Sequence, residues 1–418
     1  MTYTKPKGTN DFYGSRIQIW QTVENTICSL CADFGVAEIR TPMFEATDLF
    51  RRGVGETTDI VQKEMFTFQD QGGRSLTLRP EGTVNAARAY IENGLYNEAQ
   101  PMKLFYISPT FRAERPQKGR YRQFHQFGVE IFGSNAAAAD AEMISIAYAL
   151  LQRLNVKNTT VHINSLGNNE SRAIYNQTLT EYIGGRLDSL CPTCRERFEK
   201  NPLRVLDCKV ESCKEVVSAA PRSIDSLLPD CRKHFEDLQA CLTEMGIPFV
   251  VDPGIVRGLD YYTRTVFEII SPDLGAQSTV CGGGRYDNLV AEVGGPQTGA
   301  TGFGLGLERL VILLEESGMV IPKPAPVLYV GAMGGAALVR AQGIVYALRN
   351  AGIPAEADTV GRSVKAQFKY ADKIGAKYAV MLGDNELATG RVNVKNMADG
   401  AQAEVELASL EAYIKGLR

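Results

Sequence analysis

Between two strand-like runs, residues 102–108 and 124–132, the chain packs Arg112, Arg115, Lys118, Arg120 and Arg122 into eleven positions. No other stretch limits the fold as much. It reads as a hairpin with a cationic tip, which calls for an antiparallel sheet around it. Crowded guanidinium groups repel one another unless something anionic sits among them. Their paired donors suit phosphate oxygens, and Phe124 on the returning strand is positioned to stack a base. A solvated charged hairpin is the competing explanation, and this segment alone leaves both open.

Length and charge bound the rest. With 418 residues the chain has room for two or three domains, and 44% hydrophobic against 22% charged residues is ordinary globular composition. The 45 Lys+Arg and 48 Asp+Glu leave a net charge of −3, which excludes a wholly electrostatic nucleic-acid binder but not a local basic patch. The longest apolar run, 146–151, spans six residues, far short of the ~18 that a membrane span needs. Two lysines in residues 1–10 without an apolar run behind them argue against a secretory signal. Nine cysteines, an odd number, fit reduced thiols better than a disulfide framework. The expectation is a cytoplasmic protein with no membrane partner.

Periodicity gives a coarse order of elements. Ile17, Trp20, Val23, Ile27, Leu30 and Phe34 recur at helical spacing behind Ser15, the expected N-cap. Residues 66–68 and 75–78 flank Asp70-Gln71-Gly72-Gly73 as a hairpin, Glu81 opens a helix, and 136–154 is another. After a weakly patterned, cysteine-rich stretch at about 170–250, residues 257–270, 277–282 and 301–306 read as strands of an antiparallel sheet, and 307–316 as a helix. The proline-rich segment 321–326 is a stiff linker. Beyond it, alternating strands and helices predict a small α/β domain with a mostly parallel sheet.

Three further stretches bear on chemistry. Arg257-Gly258-Leu259-Asp260-Tyr261-Tyr262 puts an arginine and two aromatics on a strand, whose alternation sends the tyrosines to opposite faces. Gly282-Gly283-Gly284-Arg285-Tyr286-Asp287 permits a ligand to approach the backbone closely. In Gly302-Phe303-Gly304-Leu305-Gly306-Leu307-Glu308-Arg309, alternating glycines clear one sheet face for a flat ring. A half-buried tyrosine pair, a flexible turn and tight helix–sheet packing are the respective alternatives. The phosphate loop G-x-x-x-x-G-K-[ST] and the dinucleotide fingerprint G-x-G-x-x-G are both absent. Any bound nucleotide would therefore rely on arginines of the antiparallel sheet.

In this order and spacing the stretches closely resemble the histidyl-tRNA synthetases, which are class II aminoacyl-tRNA synthetases. The resemblance runs almost end to end, from Lys7-Gly8-Thr9-Asn10-Asp11 to the C-terminal domain. It is most specific at Arg115-Pro116-Gln117, Gln126-Phe127-Gly128-Val129-Glu130, 257–262 and 282–286. The implied fold is α+β: a catalytic domain over 1–322 with a six- or seven-stranded antiparallel core, an inserted helical and cysteine-rich lobe at about 170–250, and an α/β anticodon-binding domain over 326–418. The run around Pro42 looks like the family's dimer motif, which implies a homodimer.

The implied activity is ATP-dependent conversion of L-histidine to histidyl-adenylate, then transfer of histidine to tRNA(His). The resemblance gives Arg112 the ATP α-phosphate, Glu114 and Phe124 the adenine, and Arg309 the γ-phosphate, with Arg120 also on ATP. Glu81, Thr83 and Gln126 would surround the α-amino group of histidine, and Glu130 and Tyr262 its ring nitrogens. Tyr261 and Tyr286 would line that pocket. Arg257 would sit against the α-phosphate opposite Arg112, also bind the histidine, and count, with Arg112 and Gln126, among the catalytic residues. Arg115 and Gln117 would meet the tRNA acceptor end, and Mg²⁺ is expected on the β- and γ-phosphates. His125, His162 and His234 are not needed as catalysts, His125 being structural.

Cys191, Cys194, Cys208 and Cys213 form C-x₂-C, thirteen residues, then C-x₄-C, a spacing able to hold tetrahedral zinc. Because this stretch corresponds to the family's variable insertion and zinc is not general there, the resemblance favours ordinary reduced thiols and no resident metal. Arg195, Arg197, Lys200, Arg204 and Lys209 make the lobe a candidate tRNA surface. The chief alternative function is a non-catalytic paralogue, the regulatory subunit of ATP phosphoribosyltransferase. That paralogue typically lacks the anticodon domain, whereas here 327–418 is present.

Overall fold

In the computed structural model the cationic hairpin is long: Met102–Phe111 and Gln123–Phe132 pair antiparallel from Met102 opposite Phe132 to Phe111 opposite Gln123. The structure describes residues 2–417 apart from 57, 201, 207, 209 and 256–258; at 200, 204 and 275–277 it describes the backbone alone. The hairpin strands continue into Ala300–Gly306, Thr279–Arg285, Thr263–Ile270 and Thr160–Ser165, all antiparallel to their neighbours. Two short strands, Ala37–Glu38 and Phe249–Val251, add parallel edges and bring the sheet to eight. This sheet holds the expected core of six antiparallel strands and adds the two parallel edges to it. Its edge strands are two and three residues long, too short for alternation to reveal.

Alternation assigns the two faces. Phe127, Val129, Phe267, Phe303 and Leu305 are buried in the main core, which also takes residues from the helices Ser15–Asp33, Ala137–Arg153 and Leu307–Glu316. The apolar stripe of the first helix (Ile19, Val23, Ile27, Leu30) is fully buried there. Ser15 is not its cap: it is the first helical residue, Gly14 holds the cap position at φ 65°, and no side chain bonds the helix end. A second core on the opposite side gathers Phe50, Val84, Tyr90, Tyr106, Tyr261 and Tyr286. A three-stranded sheet, Phe44–Ala46, Ser75–Leu78 and Phe66–Gln69, carries the hairpin expected around Asp70. The Asp70 carboxylate accepts the Gly72 and Arg74 N–H groups at 2.9 Å.

Near the site one expectation fails and one alternative is excluded. Strand structure begins at Thr263, and residues 259–262 form an irregular turn. Tyr261 and Tyr262 therefore do not alternate between faces; both are buried, with ring centroids 4.7 Å apart. Gly282–Gly284 is no turn but the middle of the strand Thr279–Arg285.

The cysteine-rich stretch is helical: Asn169–Gly184, Pro192–Lys200, Glu211–Ser218 and Pro229–Glu244. The last of these buries Cys231, Leu238 and Leu242 in the main core, whereas the first three surround a small core of their own. Chain contacts divide the molecule after Ile321. The second unit has a sheet in the order Ala355–Ala357, Leu328–Ala332, Tyr378–Leu382, Arg391–Asn396, Gln402–Glu406. Its first three strands are parallel and the last two antiparallel, so it is mixed rather than mostly parallel. The final strand, mostly polar, carries little alternation to read. Among the described residues no helix is long and apolar enough to cross a membrane.

Candidate active site

Sheet register lines up Tyr106, Gly128, Gly304, Gly282 and Glu268 straight across five strands. A second row, two residues along, holds Glu130, Gly302 and Gly284. Because the side-chain period is two, these positions share one face, which the glycines leave nearly bare. The bareness has two uses. A Cβ at Gly128 would stand 2.2 Å from Tyr106 Cζ, and one at Gly302 would stand 1.9 Å from Glu130 Oε2, so those glycines make room for the two side chains. At Gly304 and Gly306 the nearest atoms would be 3.3 and 3.8 Å away, which leaves open floor.

Glu130, fully buried, is the centre of the filled part. Its Oε1 accepts the Thr83 hydroxyl at 2.8 Å and the Tyr106 hydroxyl at 3.0 Å, and its Oε2 accepts the Tyr286 hydroxyl. Burial pushes its carboxyl up to about 8 despite these bonds, and the nearby Glu81 adds to the rise. Glu81 sits before the helix Thr83–Glu92, where its two oxygens accept the Thr83 and Val84 N–H groups at 2.7 and 2.8 Å. Glu81 is thus a side-chain cap of the helix it was expected to open. Burial raises its carboxyl too, against the pull of those N–H groups and of Arg112. Tyr261 packs on Tyr286 with centroids 5.5 Å apart, and Tyr262 lies beside Gly284. Two buried carboxyls among hydroxyls and backbone donors make a pocket complementary to a small cationic ligand with ring N–H groups.

The open part is a cleft of about 170 Å³ lined by Arg112, Glu114, Arg120, Phe124, Gln126 and Arg309, with Gly282, Gly304 and Gly306 in its wall. The Arg112 guanidinium lies over the Phe124 ring at 5.3 Å, and its Nε donates to the Pro80 carbonyl at 2.8 Å. Arg309 donates to the carbonyls of Gly119 and Thr279 at 3.0 and 2.7 Å, tying the hairpin tip to the glycine-rich strand. Burial, then the charges of Arg120 and Arg112, draw Arg309 down to about 10. Glu114 answers part of this charge, binding Arg120 at 3.0 Å and facing Arg112 at 3.8 Å. Glu308 in the same lining is taken up by His125, and the three guanidiniums leave a cleft suited to a polyanion. Gln126 stands in the cleft on the same strand as Glu130 and, four residues away, on the same sheet face.

Arg115 and Gln117 are exposed on the outer side of the hairpin, whose tip closes through paired Gln117 and Arg120 backbone bonds of 3.1 and 2.9 Å. Arg257 lies outside the described residues, as does Lys209. His125 is an anchor: its backbone N–H and its ring Nδ1 both meet the buried Glu308 carboxylate at about 3.0 Å, and its ring edge packs on Trp20. The Sγ atoms of Cys191, Cys194, Cys208 and Cys213 lie within 4.8 Å of one another, far along the chain from the cleft residues. The sequence reading missed Tyr106 and Glu308. Tyr106 could have been found only by setting the hairpin register, which faces it with Gly128; for Glu308 the signal was an acid in the first turn of a helix whose middle is apolar.

A family model described as histidyl-tRNA synthetase matches residues 8–310, and one described as an anticodon binding domain matches residues 327–417. A curated histidine–tRNA ligase of Clostridium perfringens is 53% identical over 409 residues, covering 97% of this chain and 98% of its own. One of Caldanaerobacter subterraneus subsp. tengcongensis is 53% identical over 411 residues, covering 98% and 99%. The crystal structure of apo S. aureus histidyl-tRNA synthetase matches with a TM-score of 0.85 at 37% identity, over 99% of this chain and 100% of that one.

Proposed function

This chain belongs to the histidyl-tRNA synthetase family, and from that premise we propose which of its side chains carry the reaction. The enzyme activates L-histidine with ATP to histidyl-adenylate and transfers the histidine to the 3′ end of tRNA(His). The regulatory-subunit alternative is not favoured, because the likeness to histidine–tRNA ligases continues through the anticodon-binding domain.

Histidine occupies the acidic pocket. Glu130 and Tyr262 take the imidazole nitrogens, Tyr261 and Tyr286 line the ring, and Glu81, Thr83 and Gln126 receive the α-amino group. An amino acid without ring N–H groups would leave these buried groups unpaired, a penalty that rejects competitors by roughly 10⁴–10⁵ without editing. ATP occupies the cationic cleft, with adenine between Phe124 and the glycine floor near Glu114. Arg112 meets the α-phosphate, Arg120 the phosphate chain and Arg309 the γ-phosphate. Arg257 takes the α-phosphate from the side opposite Arg112.

The histidine carboxylate then attacks the α-phosphorus in line, a new O–P bond forming as the bond to pyrophosphate breaks. Both reactants are anionic, so the barrier is mainly repulsion and alignment, which fixed guanidiniums lower. In the second step the terminal ribose hydroxyl of tRNA attacks the carbonyl of the adenylate and AMP leaves. Glu268 is a hard oxygen donor suited to hold Mg²⁺: it faces the cleft across from Gly282 and accepts the Thr279 hydroxyl at 2.8 Å. When bound, Mg²⁺ supplies positive charge to the departing pyrophosphate.

The observation that carries this reading is the placement, on one strand and one sheet face, of the buried cluster around Glu130 and a cleft of three arginines. It is tested by amino-acid-dependent ATP–pyrophosphate exchange over the standard amino acids. Exchange with histidine alone is expected. Histidine binding without exchange would remove the catalytic roles given to the arginines.

Arg115 and Gln117, exposed at the hairpin, and Arg195 and Arg197 of the inserted lobe are proposed contacts for the tRNA acceptor end. Arg362 is a weaker candidate, since Asp358 holds it at 2.6 Å and it stacks on Tyr370. We also propose a homodimer. Met43 and Phe44 beside Pro42, with Phe68 on the same small sheet, are 52%, 50% and 44% exposed, an apolar patch where the dimer motif was expected. A dimer mass in sedimentation velocity is the expected result. A cytoplasmic location fits all nine cysteines being free thiols.

A further inference from the structure

The four cysteines of the inserted lobe sit at the starts of two helices. Cys191 precedes Pro192–Lys200 and Cys194 lies in its first turn; Cys208 precedes Glu211–Ser218 and Cys213 lies in its first turn. Eighteen residues separate Cys194 from Cys213, yet all four sulfurs converge within 4.8 Å, with Cys191 and Cys208 at 3.9 Å. A tetrahedral ion with bonds of roughly 2.3 Å holds its sulfur ligands roughly 3.8 Å apart. Disulfides do not account for the cluster, since every one of these thiols is free. Packing alone does not account for it either, because two disulfide-free pairs need not point their sulfurs at one centre.

We propose that Cys191, Cys194, Cys208 and Cys213 hold a structural zinc ion. This departs from the expectation of ordinary thiols, which rested on the family and not on geometry. Four protein sulfurs fill a tetrahedral shell and leave no position for water or substrate, so the ion serves structure alone. Soft thiolates in that geometry select zinc over magnesium or calcium. The surroundings suit the charge of a tetrathiolate. Both helix N-termini face it, and the Cys191 N–H donates to Cys213 Sγ at 3.2 Å.

The lobe needs such a tie. Its own core is small, built around Tyr175, Leu179, Ile183, Val205 and Val216, and modules of this size commonly depend on a metal or a disulfide. The ion fixes the helix Pro192–Lys200, whose Arg197 reaches Asp59 at 3.7 Å. Asp59 leads into Ile60–Glu64, and the Glu64 carbonyl accepts the Ala113 N–H of the cationic hairpin at 2.8 Å. Loosening the lobe is therefore expected to weaken tRNA charging more than histidine activation.

Full-length protein from zinc-supplemented cells should contain about one zinc per chain by elemental analysis. Absorption at the zinc edge should show four sulfur neighbours at roughly 2.3 Å. A mercurial reagent should release the zinc as it titrates four thiols. Cys208→Ser with Cys213→Ser should lose the ion, while Cys28→Ser, at an exposed thiol elsewhere, keeps it. Absence of zinc from native protein and after anaerobic addition of Zn²⁺ to reduced protein would overturn the proposal, as would iron in its place or retention of zinc by the double variant. These measurements on the unmutated protein decide the matter even where the variant does not fold, and they are independent of the roles assigned in the cleft.

Discussion

Burial holds the Glu130 carboxyl at about 8 instead of 4.5, so near neutral pH the free enzyme carries a proton there that the unfolded chain has released. The sign follows from linkage. The folded form binds this proton more tightly, so the contribution to stability is full below pH 4.5 and lost as pH rises through about 8. Glu81, Tyr106 and Tyr286 face the same carboxyl and remain in a Glu130→Gln variant. The variant should gain thermal stability relative to the unmodified enzyme as pH goes from 5 to 9, and lose roughly 10²-fold or more in histidine-dependent exchange. Unfolding midpoints across that pH range check the first part; a gap that does not change with pH would mean that Glu130 is ionised throughout. The importance of Glu130 was legible in the sequence only through family resemblance. Its partners Thr83, Tyr106 and Tyr286 come from three separate elements, and no local pattern joins them.

The strand Ala300–Gly306 separates the two uses of glycine within one element. Gly302→Ala would drive a methyl into the Glu130 carboxylate and to 2.6 Å from the Val129 carbonyl, both fixed, so a loss of about 2–4 kcal/mol in urea unfolding is expected. Gly304→Ala meets only the Gln126 side chain at 3.3 Å and should fold nearly normally, yet raise the KM for ATP about tenfold or more by filling the floor. Equal effects at both positions would show that the bare face is a packing device alone. This strand and the following helix were legible because alternating glycine and apolar residues give way, after Glu308 and Arg309, to the apolar run 310–314. The tyrosine turn was not legible. Two adjacent aromatics suit a strand, and only the contact of both rings with the pocket makes an irregular backbone favourable there.

Each of the two units, divided after Ile321, has its own core, the second built on Leu328, Val330, Ile344, Leu348 and Leu382. A chain ending at Ile321 should therefore keep histidine-dependent pyrophosphate exchange within about threefold while losing tRNA charging by about 10²-fold or more. Parallel assays of exchange and charging check this; loss of both would mean that the activation site depends on the second unit. At this scale the sequence was informative, because the proline run at 321–326 interrupts every periodic pattern. The mixed sheet beyond it escaped notice, since in its last hairpin only Val392, Val394 and Val405 are buried strand residues.

The bare glycine floor also bears on how such an enzyme could be inhibited. A flat compound lying across Gly304 and Gly282 would touch main chain where most drug sites offer side chains, and main chain is not altered by point mutation. Any residue larger than glycine that displaced the compound would occupy the surface assigned to the adenine of ATP. Resistance by substitution at those two positions should therefore carry a loss of the enzyme's own nucleotide affinity, and escape mutations should collect at the rim where no nucleotide contact is assigned, as at Tyr121.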